Sequence, residues 1–285
     1  MVQKAHIELH TAVLLFGVSG LFGKLVLASP VTIVFGRTAF AAVAIFIGLK
    51  IFRVGIAAVP GKALLLMVVS GFVLAIHWIA FFHSIQISTV AVGLIGYATF
   101  PVFVTFLEPL VSGQRLRAVD FASAALVVLG LVLVAPAFSL ADKGLIGLMW
   151  AVFSGALFAI LTLVNRRLVQ DHSSIVVVFY QLGTAALCLL PFVLGAEGSV
   201  DPGNLWLLLI LGVACTALPH TLFIKSLSVV KAQLASIVSA LEPVYGIVLA
   251  IIFLNEVPDV STALGALIVI GAVILAMTAH PVAEE

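Results

Sequence analysis

A carboxylate sits beside a proline inside an apolar run, Ser239-Ala240-Leu241-Glu242-Pro243-Val244-Tyr245-Gly246. Two cations, Lys24 and Arg37, lie in apolar runs of their own. Charged groups in hydrocarbon are costly, and they face a bundle interior or a water-filled path. Three kinds of chemistry are open to Glu242. It can bind a substrate amine, carry a coupling proton, or hydrogen-bond the helix that Pro243 disturbs. Arg37 shares a face with Ala41, Ala44 and Gly48. Its guanidinium suits a substrate carboxylate, and it equally suits tying freed carbonyls together. Lys24 shares a face with Gly17, Gly20 and Leu27. Such small residues mark a closely packed face, which turns Lys24 towards a cavity. The other reading has Lys24 reach the headgroups from its helix end.

Further polar and aromatic groups extend this set. His77 and Trp78 lie in one apolar run and Tyr97 lies one turn before Pro101. Gln181 stands in a later run, and Ser239 and Tyr245 flank Glu242. Lys24, Arg37, His77, Trp78, Tyr97, Gln181, Ser239, Glu242 and Tyr245 form a candidate binding set. An apolar cavity with a few polar points is the usual make-up of a small-ligand site. Packing or lipid-facing roles stand beside that reading for the aromatic members. Pro101 and Pro243 are candidate hinges, since each leaves a carbonyl one turn back unpaired. A static kink is the plainer alternative.

The elements that position these groups follow from composition. The chain has 285 residues, 64% hydrophobic and 9% charged, with a mean hydropathy of +1.35. That composition excludes a soluble domain and points to an all-α integral membrane protein. No basic cluster with interleaved aromatics is present, which argues against nucleic acid as a partner. Cys188 and Cys215 lie in apolar runs and read as small buried hydrophobes. No pair has metal-ligand spacing, and no cofactor is expected.

Ten apolar stretches are long enough to cross a bilayer of ~30 Å. They run near 10–28, 31–50, 62–83, 89–111, 118–135, 144–164, 173–195, 204–225, 231–254 and 259–279. The first is read as a retained helix and not a cleaved leader, because Pro30 and many further spans follow. With the N-terminus in the cytoplasm, ten of the 13 basic residues fall on the cytoplasmic side. Only Lys143 falls outside, and Lys24 and Arg37 are within spans. This bias predicts both termini inside, in a multi-pass plasma (inner) membrane protein.

Sliding the chain by 142 positions puts Ser84 on Ser226, Pro101 on Pro243, Val102 on Val244 and Phe103 on Tyr245. A slide of 144 puts Arg37 on Gln181. Two halves, 1–138 and 139–285, of five helices each are expected. Five is odd, so the second half lies inverted relative to the first, as in many secondary transporters.

Leu241-Glu242-Pro243-Val244-Tyr245, followed by Leu254-Asn255-Glu256, resembles the ninth-helix signature of EamA-type transporters of the drug/metabolite transporter superfamily. Phe100-Pro101-Val102-Phe103 is similar to its counterpart in helix four. Arg37 in Phe35-Gly36-Arg37-Thr38 and the pair Phe16-Gly17 resemble features of helices two and one. One departure is clear: Gly113-Gln114 stands where the first half would carry an acid. The resemblance implies ten helices, alternating access and export of small metabolites, with the aromatic amino-acid exporters among the kin.

The leading expectation is therefore a secondary transporter and no enzyme. Its partners are a small-molecule substrate and the bilayer. Proton coupling is open, and a monomer is favoured. Two cations, one carboxylate and aromatic groups suit a small amphipathic or zwitterionic metabolite such as an aromatic amino acid. A multidrug or other metabolite transporter of the same fold is the alternative. A membrane-embedded enzyme or haem carrier is remote. HExxH and a serine elbow are both lacking. His77 and His220 count to opposite sides of the midplane. Small-residue faces at Gly130, Gly265 and Gly271 could pack within or between chains.

Overall fold

The computed structural model describes residues 2–51, 53, 59–112, 116–135, 142–195 and 202–278. Gly113 and Gln114 of the departure, and Arg115 among the basic residues counted to the cytoplasmic side, lie outside the described residues. The described residues are helical and include no strand. In chain order the first half holds α1 (Val2–Leu25), α2 (Pro30–Ile51), α3 (Gly61–Ile87), α4 (Val90–Tyr97), α5 (Phe100–Ser112) and α6 (Ala118–Val134). The second holds α7 (Lys143–Asp171), α8 (Ser174–Leu194), α9 (Pro202–Gly212), a π-helical segment (Val213–Ala217), α10 (Leu218–Ser226), α11 (Ala232–Ser239), α12 (Glu242–Leu254) and α13 (Val260–Thr278).

Among the described residues, seven helical stretches are long and apolar enough to cross a membrane. Three shorter apolar helices, Ala118–Val134, Glu242–Leu254 and Val260–Leu275, accompany them. Large apolar side chains such as Phe72, Leu187, Phe192, Phe253 and Leu267 are exposed around the bundle. In water such a surface would aggregate, whereas in lipid it is the expected exterior. Local chemistry sets the helix ends. Asp142 accepts from Leu145 N at 3.0 Å and so caps α7. Asp259 accepts from Thr262 N at 2.6 Å and caps α13, and this bond holds its carboxyl below the usual carboxylate range. Asn255 ends α12 in the left-handed conformation, with φ 54°.

The two prolines mark matching breaks. α4 ends at Tyr97, four residues before Pro101, and α11 ends at Ser239, four residues before Pro243. In each case the proline cannot supply the N–H that the last carbonyl of the half-helix would take. The chain passes through Ala98–Thr99 in one half and Ala240–Leu241 in the other, 142 positions apart. At the first break Thr99 donates to Gly96 O through both its backbone N–H at 3.3 Å and its Oγ1 at 2.8 Å.

A third interruption was not anticipated. α9 and α10 are joined by π-helical residues, with Leu218 N donating to Val213 O. Thr216 Oγ1 donates to Leu211 O at 2.6 Å. Pro219 has no N–H to offer the Cys215 carbonyl four residues back, so that carbonyl is free for another donor.

The halves interlock. α1 packs on α10 and α12, α2 on α8, α3 on α7 and α8, and α6 on α13. The close crossing of α1 and α12 depends on missing side chains. A Cβ on Gly17 would lie 2.9 Å from Tyr245 Cβ and 3.1 Å from Glu242 O. Gly130 and Gly265 meet each other inside the chain, where α6 crosses α13. At Gly271 an added Cβ would meet nothing within 4 Å.

Candidate functional site

One narrow cavity of about 20 Å³ lies where α1, α2, α3, α4, α7, α10 and α12 converge. Arg37, His77, Trp78, Tyr97, His220 and Glu242 line it, with Phe16, Ser19, Phe81 and Phe158 completing the wall. It therefore draws on both halves of the chain. Its volume has room for about one water and is far below the roughly 300–1,000 Å³ common for small-ligand pockets, so anything larger needs the surrounding helices to part.

Arg37 is 1% exposed, so every contact it makes is internal. Its Nε donates to Thr216 Oγ1 at 3.0 Å and its Nη2 to the Cys215 carbonyl at 3.4 Å. Both acceptors belong to the π-helical segment. Its Cζ stands 4.0 Å from the centroid of the Trp78 ring and 5.2 Å from that of Phe82. Segments of this kind are frequent at functional sites. Here the distorted backbone and the indole hold the cation, and Nη1 is left with no partner within the protein.

Glu242 opens α12 just past the break, 4% exposed. The Tyr97 side chain is a neighbour of its carboxyl, and Oε2 has no partner within the protein. The ion pairs among the described residues are Lys24–Glu256 and Lys225–Glu8, so Arg37 and Glu242 do not pair directly. The cavity thus carries a guanidinium and a carboxyl group with no direct ion pair between them.

His77 is fixed by Ser154, whose carbonyl and hydroxyl lie 2.9 and 2.8 Å from Nδ1. Its ring stacks on Phe158, centroids 5.1 Å apart. His220 lies beside Trp78, centroids 5.6 Å apart. Both histidines line the one cavity. Tyr97, Phe100 and Phe158 form an aromatic floor, with Tyr97–Phe100 centroids at 5.3 Å and Phe100–Phe158 at 5.0 Å.

The rest of the candidate set lies elsewhere. Gln181 is fully buried behind His220 and donates through Nε2 to Asn165 Oδ1 at 2.6 Å. Ser239 spends its hydroxyl on Ala235 O at 2.9 Å, within its own helix. Tyr245 packs its Cβ against Gly17 and is not among the lining residues. Lys24 is also absent from the lining. It donates to Ser88 O at 2.7 Å and stands 3.8 Å from Glu256, about a quarter exposed. Glu256 in turn accepts from Val90 N at 2.9 Å. Nearby, Gln86 at the end of α3 donates to Ala28 O, just past the end of α1, at 2.8 Å. These bonds form a polar clasp joining α1, the α3–α4 turn and the segment after α12.

Ser19, Phe81, Phe158 and Asn165 were missed. Nothing distinguishes them from ordinary bundle residues in sequence. His220 and the π-helical segment had a signal, Pro219 in the middle of an apolar run. Among the described residues no group of three or more His, Cys, Asp or Glu is placed to hold a metal ion.

The profile of the EamA-like transporter family matches residues 4–135 and 145–278, one copy in each half. The chain belongs to the EamA-like transporter family. It is 26% identical over 211 residues to the uncharacterized transporter YxxF of Bacillus subtilis (strain 168), covering 73% of this chain and 68% of that one. It is 28% identical over 254 residues to the pseudopaline exporter CntI of Pseudomonas aeruginosa, covering 86% of each. One solved crystal structure shares the fold, with a TM-score of 0.72 over 97% of both chains at 18% identity. The duplicated family match and the apolar helices make this a multi-pass membrane transporter.

Proposed function

We propose that this EamA-family chain is a ten-span secondary transporter that exports small zwitterionic metabolites with an apolar side chain, such as aromatic amino acids. The observation that carries the reading is the presence of Arg37 and Glu242 in one cavity. A guanidinium and a carboxyl group line the same aromatic cavity without a direct ion pair. Arg37 presents a donor to a carboxylate, Glu242 presents an acceptor to an amine, and Tyr97, Phe158 and Phe81 take the side chain. A lipophilic cation would gain nothing from the buried guanidinium.

The ten spans comprise the seven long stretches and the three shorter apolar helices. In this arrangement the five-helix halves lie inverted, with the matched breaks before Pro101 and Pro243 near the midplane. The halves rock about the cavity and bend at those two breaks. The Lys/Arg bias supports an inner membrane location with both termini in the cytoplasm, so the Lys24–Glu256 clasp closes the outer side. An exporter among the relatives supports the outward direction. Glu242, buried and reachable by substrate, is the group placed to carry a coupling proton.

A thermal-shift screen of the purified protein tests the substrate class. Phenylalanine and tryptophan are expected to raise the unfolding temperature, through ligand binding to the folded state alone. Nucleosides and quaternary ammonium drugs are expected to leave it unchanged. A shift with the drugs and none with the amino acids contradicts the proposal.

A further inference from the structure

Three buried side-chain atoms of cavity residues have no partner within the protein: Arg37 Nη1, Glu242 Oε2 and His220 Nδ1. Their residues are 1%, 4% and 1% exposed, so bulk water does not serve them. Arg37 Nη1 can only donate. The role of His220 Nδ1 is set from behind. Gln181 donates through Nε2 to Asn165 Oδ1 at 2.6 Å, which leaves its Oε1 as the atom facing His220 Nε2 at 3.3 Å. A carbonyl oxygen only accepts, so Nε2 of the imidazole carries the hydrogen. In the neutral ring Nδ1 is then a lone-pair acceptor. The cavity offers one donor and two separate acceptors, one of them a carboxyl oxygen.

We infer that His220 is a specificity-determining residue: its Nδ1 and Glu242 Oε2 take two N–H donors of one substrate ammonium, while Arg37 Nη1 takes the substrate carboxylate. Asn165 and Gln181 are positioning residues that hold the imidazole in the accepting tautomer. The inference rests on the zwitterion reading above and adds a requirement to it. The substrate nitrogen must keep at least two N–H bonds. A fully methylated nitrogen retains its charge yet offers no donor, so it leaves both acceptors unpaired in a buried site, the arrangement that discriminates most sharply.

The test measures binding of tritiated L-phenylalanine to the full-length purified protein, with N,N,N-trimethyl-L-phenylalanine as competitor. Wild type is expected to bind the trimethyl compound at least about tenfold more weakly. His220→Phe is expected to weaken L-phenylalanine about tenfold and to leave the trimethyl compound within about twofold, so that the preference collapses. His220→Asn, whose Oδ1 can stand in for Nδ1, is expected to recover much of the preference. Should His220→Phe fail to fold, Gln181→Leu releases the tautomer and is expected to reduce the preference as well. Equal wild-type affinity for the two compounds, or a preference unchanged in the variants, overturns the inference and leaves the zwitterion reading standing. Absence of L-phenylalanine binding to wild type removes that reading and the inference together.

Discussion

The Arg37 guanidinium lies over the indole of Trp78, with Cζ 4.0 Å from the ring centroid. Such a contact is worth about 0.5–2 kcal/mol, more where it is desolvated. Together with the bonds to Thr216 and Cys215 it holds a buried cation in one place with one nitrogen turned to the cavity. A charge fixed before the ligand arrives loses little freedom on binding.

Arg37→Lys is expected to weaken binding of L-phenylalanine by about tenfold or more. A lysine has a single point of attachment and cannot serve Thr216, Cys215 and a ligand at once. L-Phenylalaninamide, which lacks the carboxylate, is expected to lose much less. Displacement of a radiolabelled ligand by both compounds, in wild type and variant, reads the difference directly.

Glu242→Gln keeps the shape of the side chain but cannot cycle a proton. Gradient-driven transport is expected to vanish while exchange of internal for external substrate persists at reduced affinity. Loss of both activities in a folded variant would assign Glu242 to binding or structure alone.

The clasp of Lys24, Ser88, Val90 and Glu256 gives a third expectation. Lys24→Met or Glu256→Gln should loosen closure of that end of the bundle. A cysteine at Ser19 in the cavity wall, with Cys188 and Cys215 replaced, reports the opening. Impermeant thiol reagents added outside are expected to label it several-fold faster in the clasp variants, and substrate is expected to change the rate in the parent. Identical labelling in all conditions would count against alternating access.

Gly17 leaves no room for a side chain. An added Cβ would stand 2.9 Å from Tyr245 Cβ and 3.1 Å from the Glu242 carbonyl, one of them backbone. Gly17→Ala is expected to cost about 1–3 kcal/mol, the usual range for overpacking. A lowered thermal midpoint with an intact helical circular dichroism spectrum is the check.

Much of this architecture was legible because a membrane amplifies polar signals. Arg37 and Glu242 stand out in apolar runs, and both line the cavity. The matching of Pro101 with Pro243 located both helix breaks at the positions observed. Lys24 was ambiguous for a physical reason. A long side chain near a helix end can turn inward or outward, and its choice depends on Ser88 and Glu256, far off in the chain. Phe158 and Ser19 were illegible because apolar and small residues are common on every face of these helices. Asn165 gained meaning only once Gln181 and His220 were seen in line with it. The π-helical turns before His220 were illegible because an α-helical count does not register them.

The most direct measurement is counterflow. Purified protein is placed in liposomes loaded with unlabelled L-phenylalanine, and entry of labelled L-phenylalanine is followed with no gradient of protons or voltage. Transient accumulation of label well above equilibrium is predicted, abolished in Arg37→Met. No accumulation with phenylalanine, in liposomes that do exchange a lipophilic cation, would contradict the account.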